Sequence, residues 1–455
     1  MDWRPTTPEL KTAEELCHLF RANGGRALLV GGWVRDRMLG LASRDLDVEV
    51  YGIPASDVQT LLERHHEVDP TGKAFGVLSL KGYPIDVSVP RRESKRGLGH
   101  RGFLVESDPW LAPEEAARRR DFTINAMSFD PLTGDLVDPL GGAEDLRRGV
   151  LRHASERFAE DPLRVLRGMQ FCARFRLDAA PETVALCRGL DMEGLAPERV
   201  FEEWAKLILK GEEPSRGLRF LRDSGWVRFF PELAALIGCE QDPFWHPEGD
   251  VWTHTCHCLD AFAEARVGDA WEDLVVGMAV LCHDLGKPLT TMTTGVGIRS
   301  LGHSEAGLEP TRSFLARMSR HQDLLDQVVP LVAEHLRPVE LYQASASVAA
   351  VRRLASRVGR IDRLVRVADA DQRGRPPLAV DEFEAGTWLL ALAAAEGISS
   401  SRPEPLIRGR DLIARGMAPG PAMGQFLQAC YEDQLNGVFD SVDSARAYLD
   451  ERLGA

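Results

Sequence analysis

The pattern of hydrophobic and polar positions divides the chain into a front part that mixes strands with helices and a longer part that is almost entirely helical. Residues 26–30 form a short apolar run that ends at Gly31-Gly32, which predicts a buried strand followed by a turn. Residues 45–50 alternate strictly between acidic and apolar side chains, so they predict a strand with its carboxylates on one face. Residues 75–80 and 85–89 predict a hairpin.

Helical periodicity covers most of the remaining chain. It predicts helices within residues 1–25, at 33–39 and at 54–65, and nearly continuous helix from residue 146 onward. Residues 90–110 have three glycines and no periodicity, which predicts a mobile loop. We therefore expect an α+β fold in four parts: a head with a mixed sheet (1–148), a helical neck (149–235), an all-helical domain (236–396) and a helical tail (397–455).

Composition limits the class of protein. With 455 residues, 44% hydrophobic and 27% charged, the chain is typical of a globular protein with several domains. No run approaches the roughly 20 apolar residues of a membrane span, and residues 1–10 resemble no export signal, so we expect a cytoplasmic protein with no membrane partner. The eight cysteines form no repeating frame, and Cys256 and Cys258 are expected to be small buried hydrophobes in a reducing compartment.

The formal charge of −14 argues against a chromatin-like binder of nucleic acid, but the basic residues are concentrated locally. Because phosphate contacts act over a Debye length of about 8–10 Å, one basic segment in an acidic protein can still hold RNA. Residues 90–110 form such a segment. Its candidate RNA-binding residues are Arg91, Arg92, Lys95, Arg96 and Arg101.

Three carboxylates in the head form a candidate metal site. Asp45 and Asp47 point to the same face of their predicted strand, and Asp86 lies on a neighbouring strand of the predicted hairpin. Carboxylates on one face repel one another unless cations lie between them, and phosphoryl transfer with two metal ions uses such ligands. The Gly31-Gly32 turn at the start of a helix suits a triphosphate.

Five motifs in this order resemble those of the bacterial class II CCA-adding enzymes and poly(A) polymerases, whose head is similar to the palm of DNA polymerase beta. They are GGWVRD (31–36) with RDLD (44–47), RRDFTINA (119–126), DPLGG (138–142) with Asp145-Leu146, EDPLR (160–164) with Arg167, and ERV (198–200) with Glu202-Glu203. Within RRDFTINA, Phe122 and Ile124 are expected to pack inward. The resemblance implies a template-independent nucleotidyltransferase that extends the 3′ end of tRNA with CTP and ATP.

The resemblance also implies roles for single residues. Asp45 and Asp47 would hold two Mg²⁺ ions, and Asp86 would help to activate the RNA 3′-hydroxyl. Asp161 and Arg164, expected with Glu160 on one helix face, would select CTP and ATP by their base edges. The implied nucleotide-binding residues are Gly32, Arg35, Arg120, Asp121, Asn125, Glu160, Asp161, Arg164 and Arg167. In this family the loop at 90–110 is tied to the switch from C to A addition, and its length here argues against an enzyme that adds only CC.

A second constellation lies in the helical part. Imidazoles and carboxylates suit divalent transition metals, whose identity the sequence leaves open. The order H…HD…H…H…D resembles the HD superfamily of phosphohydrolases, which implies metal-dependent attack of water on a phosphomonoester or a 2′,3′-cyclic phosphate. Of Asp369 and Asp371 we favour Asp371, because it precedes the RGR string as in those relatives. The candidate ligands are His254, His283, Asp284, His303, His335 and Asp371.

Three alternatives stay open. Poly(A) polymerases share the head motifs, although residues 197–200 are closer to the CCA-adding form and the tail has no strongly basic extension. An enzyme that adds only the terminal A of tRNA shares them as well. In an alternative of another class, the HD domain is a nucleotide phosphohydrolase behind a degenerate RNA-binding head, against which the three intact head carboxylates speak.

Overall fold

The computed structural model describes residues 6–43, 45–69, 76–95, 103–295, 297–319, 321–378 and 382–453, with the backbone alone for residues 92–95 and 103–105. Its contacts divide the chain into two compact units, Met1–Phe229 and Phe230–Ala455. The α+β class is confirmed, because the first unit contains a mixed sheet and the second is almost entirely helical. The finer division into four parts stays a prediction.

The first unit is built on a seven-stranded mixed sheet. Its strands and those of two small ribbons are β1 (Arg26–Val30), β2 (Leu46–Tyr51), β3 (Val68–Asp69), β4 (Val77–Leu80), β5 (Ile85–Ser88), β6 (Arg91–Lys95), β7 (Phe103–Ser107), β8 (Ser128–Asp130), β9 (Asp135–Val137), β10 (Val150–Leu151) and β11 (Asp178–Ala179). The order in the large sheet is β3-β4-β5-β2-β1-β8-β9. Within it β2 and β5 run parallel and the other neighbours run antiparallel.

Strand β2 fixes the direction of the predicted metal ligands. Leu46, Val48 and Val50 are buried, so Asp47 and Glu49 point to the opposite face of the sheet. The parallel pairing of β2 with β5 brings Asp47 into register with Asp86.

The prediction of a loop at residues 90–110 was wrong for the described part of this segment. Strands β6 and β7 pair antiparallel, from Arg91 opposite Ser107 to Lys95 opposite Phe103. Pairing of this kind rests on backbone hydrogen bonds, which need no alternation of polar and apolar side chains, so the pattern did not reveal it. Residues 96–102, which connect the two strands, lie outside the described residues.

The helices of the first unit surround the sheet and continue beyond it. They are α1 (Pro8–Ala22), α2 (Gly32–Met38), α3 (Ala55–Glu63), α4 (Pro113–Ala117), α5 (Gly142–Arg147), α6 (Leu163–Phe175), α7 (Pro181–Arg188), α8 (Pro197–Lys210) and α9 (Pro214–Asp223), with 3₁₀ turns at Thr123–Asn125, Glu156–Glu160 and Trp226–Phe229. Helix α6 packs against both α8 and α9. Gly217 permits the second contact, since a Cβ atom there would lie 2.6 Å from the carbonyl oxygen of Met169.

The placement of Glu160, Asp161 and Arg164 on one helix face was also wrong. Glu160 ends a 3₁₀ turn, and Asp161 has φ −127° and ψ 100°, outside the helical region. Helix α6 begins only after Pro162, whose ring removes the amide hydrogen that a continuous helix would use.

The second unit is a bundle of helices with one small ribbon, β12 (Met292–Thr294) and β13 (Gly297–Arg299). Its helices are α10 (Pro231–Ala234), α11 (Val251–Glu264), α12 (Ala270–Cys282), α13 (Lys287–Thr290), α14 (His303–Ala306), α15 (Leu308–Met318), α16 (Gln322–Glu334), α17 (Arg337–Gln343), α18 (Val348–Val358), α19 (Ile361–Arg373), α20 (Glu384–Ala395), α21 (Gly409–Ile413), α22 (Pro421–Leu435) and α23 (Val442–Leu453). Helix α12 packs against α11, α16 and α19 and is buried from Asp273 to Cys282, which accounts for its long apolar run. Among the described residues, no helix combines the length and apolar character needed to cross a membrane.

Candidate active sites

A cavity of about 510 Å³ in the first unit collects most of the predicted nucleotide-binding residues. Its walls come from the Gly31-Gly32 turn, β2, residues 119–125, and one face each of α6 and α8. The lining residues are Gly31, Gly32, Arg35, Asp47, Arg119, Arg120, Asp121, Asn125, Asp161, Leu163, Arg164, Arg167, Gln170, Phe171, Arg174, Arg199, Lys206 and Lys210. Of the nine predicted nucleotide-binding residues, only Glu160 lies outside this lining; its carboxylate accepts a hydrogen bond from Arg157 Nε at 3.0 Å.

The cavity wall is basic although the whole chain is acidic. Nine of the lining side chains are arginine or lysine, against the three carboxylates of Asp47, Asp121 and Asp161. A cleft lined mainly by one sign of charge concentrates the opposite sign, so this one favours a polyanion such as a triphosphate.

Five of these cations were missed by the sequence prediction: Arg119, Arg174, Arg199, Lys206 and Lys210. Helical spacing could have found most of them. Arg174 follows Arg167 by seven residues on α6, and Lys206 and Lys210 follow Arg199 by seven and eleven on α8. Residues at these spacings share a helix face, so one confirmed cavity residue points to the others.

Of the three predicted metal ligands of the head, Asp47 lines this cavity, and Asp86 is its register partner on the neighbouring strand. Asp45 and Asp86 are exposed, with Asp86 Oδ1 accepting a hydrogen bond from Ser79 Oγ at 2.6 Å. Burial raises the pKa of Asp47; Arg120 opposes this effect, and the charges of Asp86 and Asp45 reinforce it. A divalent cation would relieve that repulsion, and Mg²⁺ prefers carboxylate oxygens, so the residues fit the ion. These oxygens do not form a closed ligand set: among the described residues, groups of at least three ligand atoms within 4.8 Å of one another occur in the second unit.

Residues of RRDFTINA form a network that prepares the cavity wall. Asp121 Oδ2 accepts from Arg167 Nε at 2.8 Å, and Asp121 Oδ1 accepts from Asn125 Nδ2 at 2.9 Å. Asn125 Oδ1 in turn accepts from Arg35, whose guanidinium also binds Asp36 and lies 4.3 Å from the ring centre of Phe175. Burial alone would raise the pKa of Asp121, but Arg167 and these hydrogen bonds lower it. The predicted inward packing is confirmed at Phe122 and Ile124, which are fully buried.

Asp161 and Arg164 are brought together despite the break before α6. Arg164 donates to the carbonyl oxygens of Arg157 and Arg119 at 2.9 and 2.8 Å, which fixes its guanidinium in the cavity wall. Asp161 Oδ2 lies 3.3 Å from Arg199 Nη2, so the EDPLR and ERV motifs meet in the same wall.

The predicted RNA-binding segment is described only in part. Arg91 is partly buried and lines a smaller cavity with Asp47 and Arg120. The side chains of Arg92 and Lys95 are not described, and Arg96 and Arg101 lie outside the described residues, as does Arg44 of the first motif.

The six predicted metal ligands of the second unit converge in its buried interior. His254 Nε2 lies 3.1 Å from Asp371 Oδ1 and 3.4 Å from His283 Nε2. With Cys258, these residues form what we call the first ligand group, whose ligand atoms all lie within 4.8 Å of one another. Asp284, His303 and His335 form the second ligand group, in which His303 Nε2 lies 3.3 Å from His335 Nε2. Asp369 belongs to neither group.

Asp284 connects the two ligand groups. Its Oδ2 lies 3.2 Å from His283 Nε2, and its Oδ1 lies 3.4 Å from His303 Nε2. Both oxygens are buried, and neither accepts a well-aligned hydrogen bond from the described residues, although Lys287 Nζ lies 2.7 Å from Oδ2. Buried carboxylate oxygens without such donors fit a position between two cations.

Each imidazole of the two groups is oriented by a partner that contacts Nδ1, the ring nitrogen that points away from the other ligand atoms. The Nδ1–H groups of His283, His303 and His335 donate to the backbone carbonyls of Val280, Ser300 and Val332, each at 2.7 Å. His254 Nδ1 lies 2.8 Å from Glu248 Oε1. These bonds direct every Nε2 toward the ligand groups, as metal-binding histidines require.

Charges within the two ligand groups shift the pKa values of His283 and His335 in opposite directions. Burial disfavours the charged form of His283, but Asp284 outweighs this and raises its pKa to about 10. Burial and then the neighbouring His283 lower the pKa of His335 to about 4.

Two partners in this region were missed by the sequence prediction. Cys258, expected to be a buried hydrophobe, is buried but belongs to the first ligand group, and Glu248 orients His254. The signal for Cys258 was its position four residues after His254 on one helix, which places both on the same face. No spacing signal pointed to Glu248, since it lies in the turn before α11.

A cavity of about 640 Å³ opens onto the second ligand group. Asp284, His303 and His335 line it together with Asp371 and Lys287. Trp245 lines it too and is 59% exposed, so an aromatic face is available beside the ligand groups.

Two segments in the first part of the chain match known protein families. Residues 27–152 match the Poly A polymerase head domain, and residues 181–237 match the family described as "Probable RNA and SrmB-binding site of polymerase A".

Curated relatives align with almost the whole chain. A "Multifunctional CCA protein" of Xanthomonas campestris pv. campestris (strain B100) is 38% identical over 411 residues, covering 88% of this chain and 95% of the relative. The "Multifunctional CCA protein" of Stenotrophomonas maltophilia (strain K279a) is 37% identical over 414 residues, with 88% and 96% covered.

Solved structures show the same fold at lower identity. The Bacillus stearothermophilus CCA-adding enzyme in complex with CTP has a TM-score of 0.66 at 22% identity, covering 98% of both chains. The Thermotoga maritima CCA-adding enzyme complexed with tRNA has a TM-score of 0.59 at 19% identity, covering 98% of this chain and 96% of that one.

Proposed function

The chain belongs to the family of multifunctional CCA proteins, and from that premise we propose that it adds or repairs the 3′-terminal CCA of tRNA, using CTP and ATP and no nucleic-acid template. One observation carries the proposal. The same basic cavity is lined by Asp47, a predicted metal ligand, and by Asp161 and Arg164, the residues predicted to read the base. The ligands named for the fold neighbours, CTP, ATP and tRNA, are those that such a cavity would take.

In the proposed reaction the RNA 3′-hydroxyl attacks the α-phosphate of CTP or ATP, the new P–O bond forms, and pyrophosphate leaves. Asp45 and Asp47 would hold Mg²⁺, which when bound supplies positive charge to the phosphate oxygens. Asp86, in register with Asp47, would help to activate the hydroxyl. Catalysis by this chain would then consist mainly of positioning and charge neutralisation.

The basic wall would bind the nucleotide at both ends. Arg167 would hold the triphosphate, and Lys206 and Lys210 on the neighbouring helix would contact phosphates of the RNA end. Arg164 is fixed by two carbonyls and Asp161 is a carboxylate acceptor, so together they would offer donors and an acceptor to the base edge. The base edges of GTP and UTP have a pattern of donors and acceptors that differs from the patterns of CTP and ATP.

The specificity test uses three tRNA transcripts that end before CCA, after C and after CC, each incubated with CTP, ATP or both. We expect CCA on the first and a single A on the third. Extension of the CC-ended tRNA alone would instead identify an A-adding enzyme, and long A tracts on any RNA would identify a poly(A) polymerase.

The metal-site assignment is tested by Asp45→Ala with Asp47→Ala in the full chain. Incorporation of nucleotide should fall by at least about 10³-fold, because a ligand pair for the ions is lost. The matched control is Asp135→Asn, an exposed carboxylate on β9 of the same sheet, which should leave incorporation unchanged. Incorporation that survives the double substitution would refute the assignment.

We further propose that the second unit is a metal-dependent phosphohydrolase. The two ligand groups connected by Asp284 support it, because a divalent ion bound there would supply Lewis acidity toward a phosphoester and lower the pKa of nearby water. The exposed face of Trp245 beside these groups favours a nucleotide or an RNA end, on which an aromatic ring can stack. Such an activity would clean a damaged tRNA end before extension.

This second function is tested with 2′,3′-cyclic AMP and p-nitrophenyl phosphate in the presence of Mn²⁺, Co²⁺, Ni²⁺, Zn²⁺ or Mg²⁺. His283→Ala with Asp284→Ala should abolish hydrolysis and spare CCA addition, and Asp45→Ala with Asp47→Ala should do the reverse. The absence of hydrolysis with every metal would contradict the proposal for the second unit and leave the first intact.

A further inference from the structure

Trp245 is held in the wall of the cavity that opens onto the second ligand group. Asp242 Oδ1 accepts a hydrogen bond from the amide of Phe244 at 3.0 Å, and the carbonyl oxygen of Asp242 accepts one from the amide of Trp245 at 3.1 Å. The Phe244 ring packs edge-on against the indole, with 4.9 Å between the ring centres and 88° between the planes. Trp245 is nevertheless 59% exposed, so its aromatic surface is fixed in place and accessible to a planar partner.

Two arginines of the same cavity have no carboxylate partner. Arg299 lies on β13 and Arg375 follows α19, and both line the cavity. Within the described part of the chain neither guanidinium forms an ion pair, and Arg375 Nη2 donates to the side-chain oxygen of Gln372. Lys287, the lysine of the lining, lies 2.7 Å from Asp284 Oδ2 and is committed to it. The two guanidinium groups are therefore available to phosphate oxygens, which they bind well.

These arginines are not needed to balance the carboxylates of the lining. Asp284 and Asp371 belong to the ligand groups, where bound metal would neutralise them. Glu340 forms an ion pair with Arg337 at 2.8 Å, and Asp242 accepts the amide hydrogen described above. The positive charge of the two arginines thus suits an anion that enters the cavity with a ligand.

We propose that this cavity binds a nucleotide with phosphate on both sides of its ribose, and that this nucleotide is the 3′ end of an RNA chain. The terminal phosphate lies at the ligand groups and the base stacks on Trp245. Arg299 and Arg375 hold the phosphodiester that links the terminal nucleotide to the chain. The cavity of about 640 Å³ has the size of a ligand site, since such sites measure roughly 300–1,000 Å³.

A mononucleotide with one phosphate leaves both arginines without a ligand, because its phosphate is the group that the metals would take. An RNA end is favoured over a free nucleoside bisphosphate because the first unit is proposed to act on such ends. The inference rests on the phosphohydrolase function proposed for the second unit and deepens it by naming the substrate class.

The first experiment measures binding without turnover. The probe is an RNA tetranucleotide whose 3′-terminal base is 2-aminopurine and whose 3′ end carries a methylenephosphonate, a group with a P–C bond that hydrolysis cannot break. Stacking on an indole quenches the fluorescence of 2-aminopurine. In Mg²⁺ or Zn²⁺ we expect the full-length protein to quench the probe and Trp245→Ala to lose most of this effect.

The matched control is Trp271→Ala, which removes another exposed tryptophan of the second unit, outside the cavity lining, and should leave the quenching unchanged. The RNA can also bind the basic cavity of the first unit, so the difference between wild type and Trp245→Ala is the quantity that reports on the second unit. The Tm of each variant separates loss of binding from loss of the fold. Equal quenching by the wild type and a folded Trp245→Ala variant overturns the proposal.

The second experiment compares hydrolysis of an RNA trinucleotide ending in a 2′,3′-cyclic phosphate, of 2′,3′-cyclic AMP and of adenosine 3′,5′-bisphosphate. In Arg299→Gln with Arg375→Gln, kcat/KM for the RNA should fall at least about tenfold more than kcat/KM for 2′,3′-cyclic AMP, which has no 5′ phosphate. Arg312→Gln, an exposed arginine on α15 outside the lining, is the control and should change neither value.

An equal fall for the RNA and for 2′,3′-cyclic AMP overturns the role of the two arginines. A higher kcat/KM for the bisphosphate than for the RNA overturns the RNA chain as the source of the second phosphate. If no metal supports hydrolysis of any substrate while the quenching still depends on Trp245, the phosphohydrolase function alone is refuted and the RNA-end site stands.

Discussion

Asp121 and Arg167 come from separate motifs and form one ion pair in the wall of the basic cavity. Arg167 Nε donates to Asp121 Oδ2, and Nη2 of the same guanidinium lies 2.8 Å from that oxygen. The other oxygen of Asp121 accepts from Asn125 and from the amide of Phe122. The pair therefore fixes the direction of a guanidinium that the proposed reaction needs at the triphosphate.

Asp121→Asn keeps the shape of that side chain and removes its charge. We expect a loss of about 1–2 kcal/mol in the free energy of unfolding, because Arg167 is partly exposed and solvent screens it. The KM for CTP and ATP should rise, since Arg167 loses its orientation. Steady-state kinetics and urea unfolding measure the two effects. Asp178→Asn, which breaks an exposed ion pair with Arg216, is the control and should change neither by much.

His153 gives a prediction about pH. Burial lowers its pKa, with Glu156 opposing and Arg152 reinforcing the shift, and its Nδ1 lies 2.9 Å from Thr183 Oγ1. The unfolded chain takes up a proton near pH 6.5 and the folded chain only at lower pH, so stability falls as the pH drops below about 6.5. His153→Gln should reduce this slope between pH 7 and 5, measured as Tm against pH. An equal slope in the variant would contradict the assignment, and exposed His18→Gln is the control.

At this scale the sequence revealed residue types and faces, but not partners. The inward packing of Phe122 followed from alternation. Arg35 donates hydrogen bonds to Asn125, which is distant in the sequence, and to Asp36, which is its direct neighbour. Neither separation is a spacing that predicts a contact, so only the folded structure reveals these bonds.

Among the secondary-structure elements, α6 carries the largest share of the cavity wall, and its position depends on close packing with α9. Gly217 on α9 makes that approach possible. Alanine normally stabilises a helix interior relative to glycine by about 1 kcal/mol. Here its Cβ would lie 2.6 Å from Met169 O and 2.7 Å from a methyl carbon of Leu207, so the helices would have to separate.

Gly217→Ala should therefore destabilise the first unit by about 1–3 kcal/mol. The matched control is Gly424→Ala within α22, where nothing lies within 4 Å of the added Cβ. That substitution should stabilise its helix by about 0.5–1 kcal/mol. Differential scanning calorimetry measures both. If Gly217→Ala stabilised the protein instead, α6 and α9 would be able to move apart at little cost in free energy.

Elements with strong periodicity were predicted well, and those without it were not. Strand β1 was predicted at the residues where it occurs, and the alternation in β2 identified the face that carries Asp47. Strands β6 and β7 were missed because pairing through the backbone leaves no mark in the side-chain pattern. The break at Pro162 was missed because the motif was read as one helix face, although proline at the start of a helix is a standard boundary signal.

On the scale of the whole molecule, the net charge is negative, whereas the proposed binding wall is basic. The chain has a formal charge of −14, and the cavity wall has nine basic side chains. Attraction for nucleotide and RNA must then be local, and salt should weaken it strongly, since phosphate binding releases counterions.

Raising the salt concentration should lower the affinity for tRNA with a linear dependence of log K on log salt concentration. Lys206→Ala with Lys210→Ala should reduce that slope by up to about two, one for each phosphate contact removed. Arg446→Ala, on α23 of the second unit, serves as the control and should leave the slope unchanged. Fluorescence anisotropy at several salt concentrations measures this slope. An unchanged slope in the double variant would show that neither lysine contacts a phosphate of the tRNA.

The general organisation was predictable at this scale because each site has its own ordered set of residue types. The carboxylates of the head and the histidines of the body were each found from one sequence. The assembly of the histidines into two groups connected by Asp284 was not, since sequence order does not say which oxygen faces which ligand.

The register of β2 with β5 has a consequence for the time at which the enzyme becomes active. Asp47 and Asp86 come into register only after two parallel strands, separated in sequence by the helix α3 and the strands β3 and β4, have paired. Parallel pairing over such a distance is slow to form, and a slip of one residue would send one carboxylate to the opposite face of the sheet. In a chain still emerging from the ribosome, the Gly31-Gly32 turn, Asp45 and Asp47 are synthesised before Asp86. The proposed metal site therefore cannot form at that stage. In a refolding experiment, nucleotide incorporation should return with the slowest phase of sheet formation and not with the earlier recovery of helix.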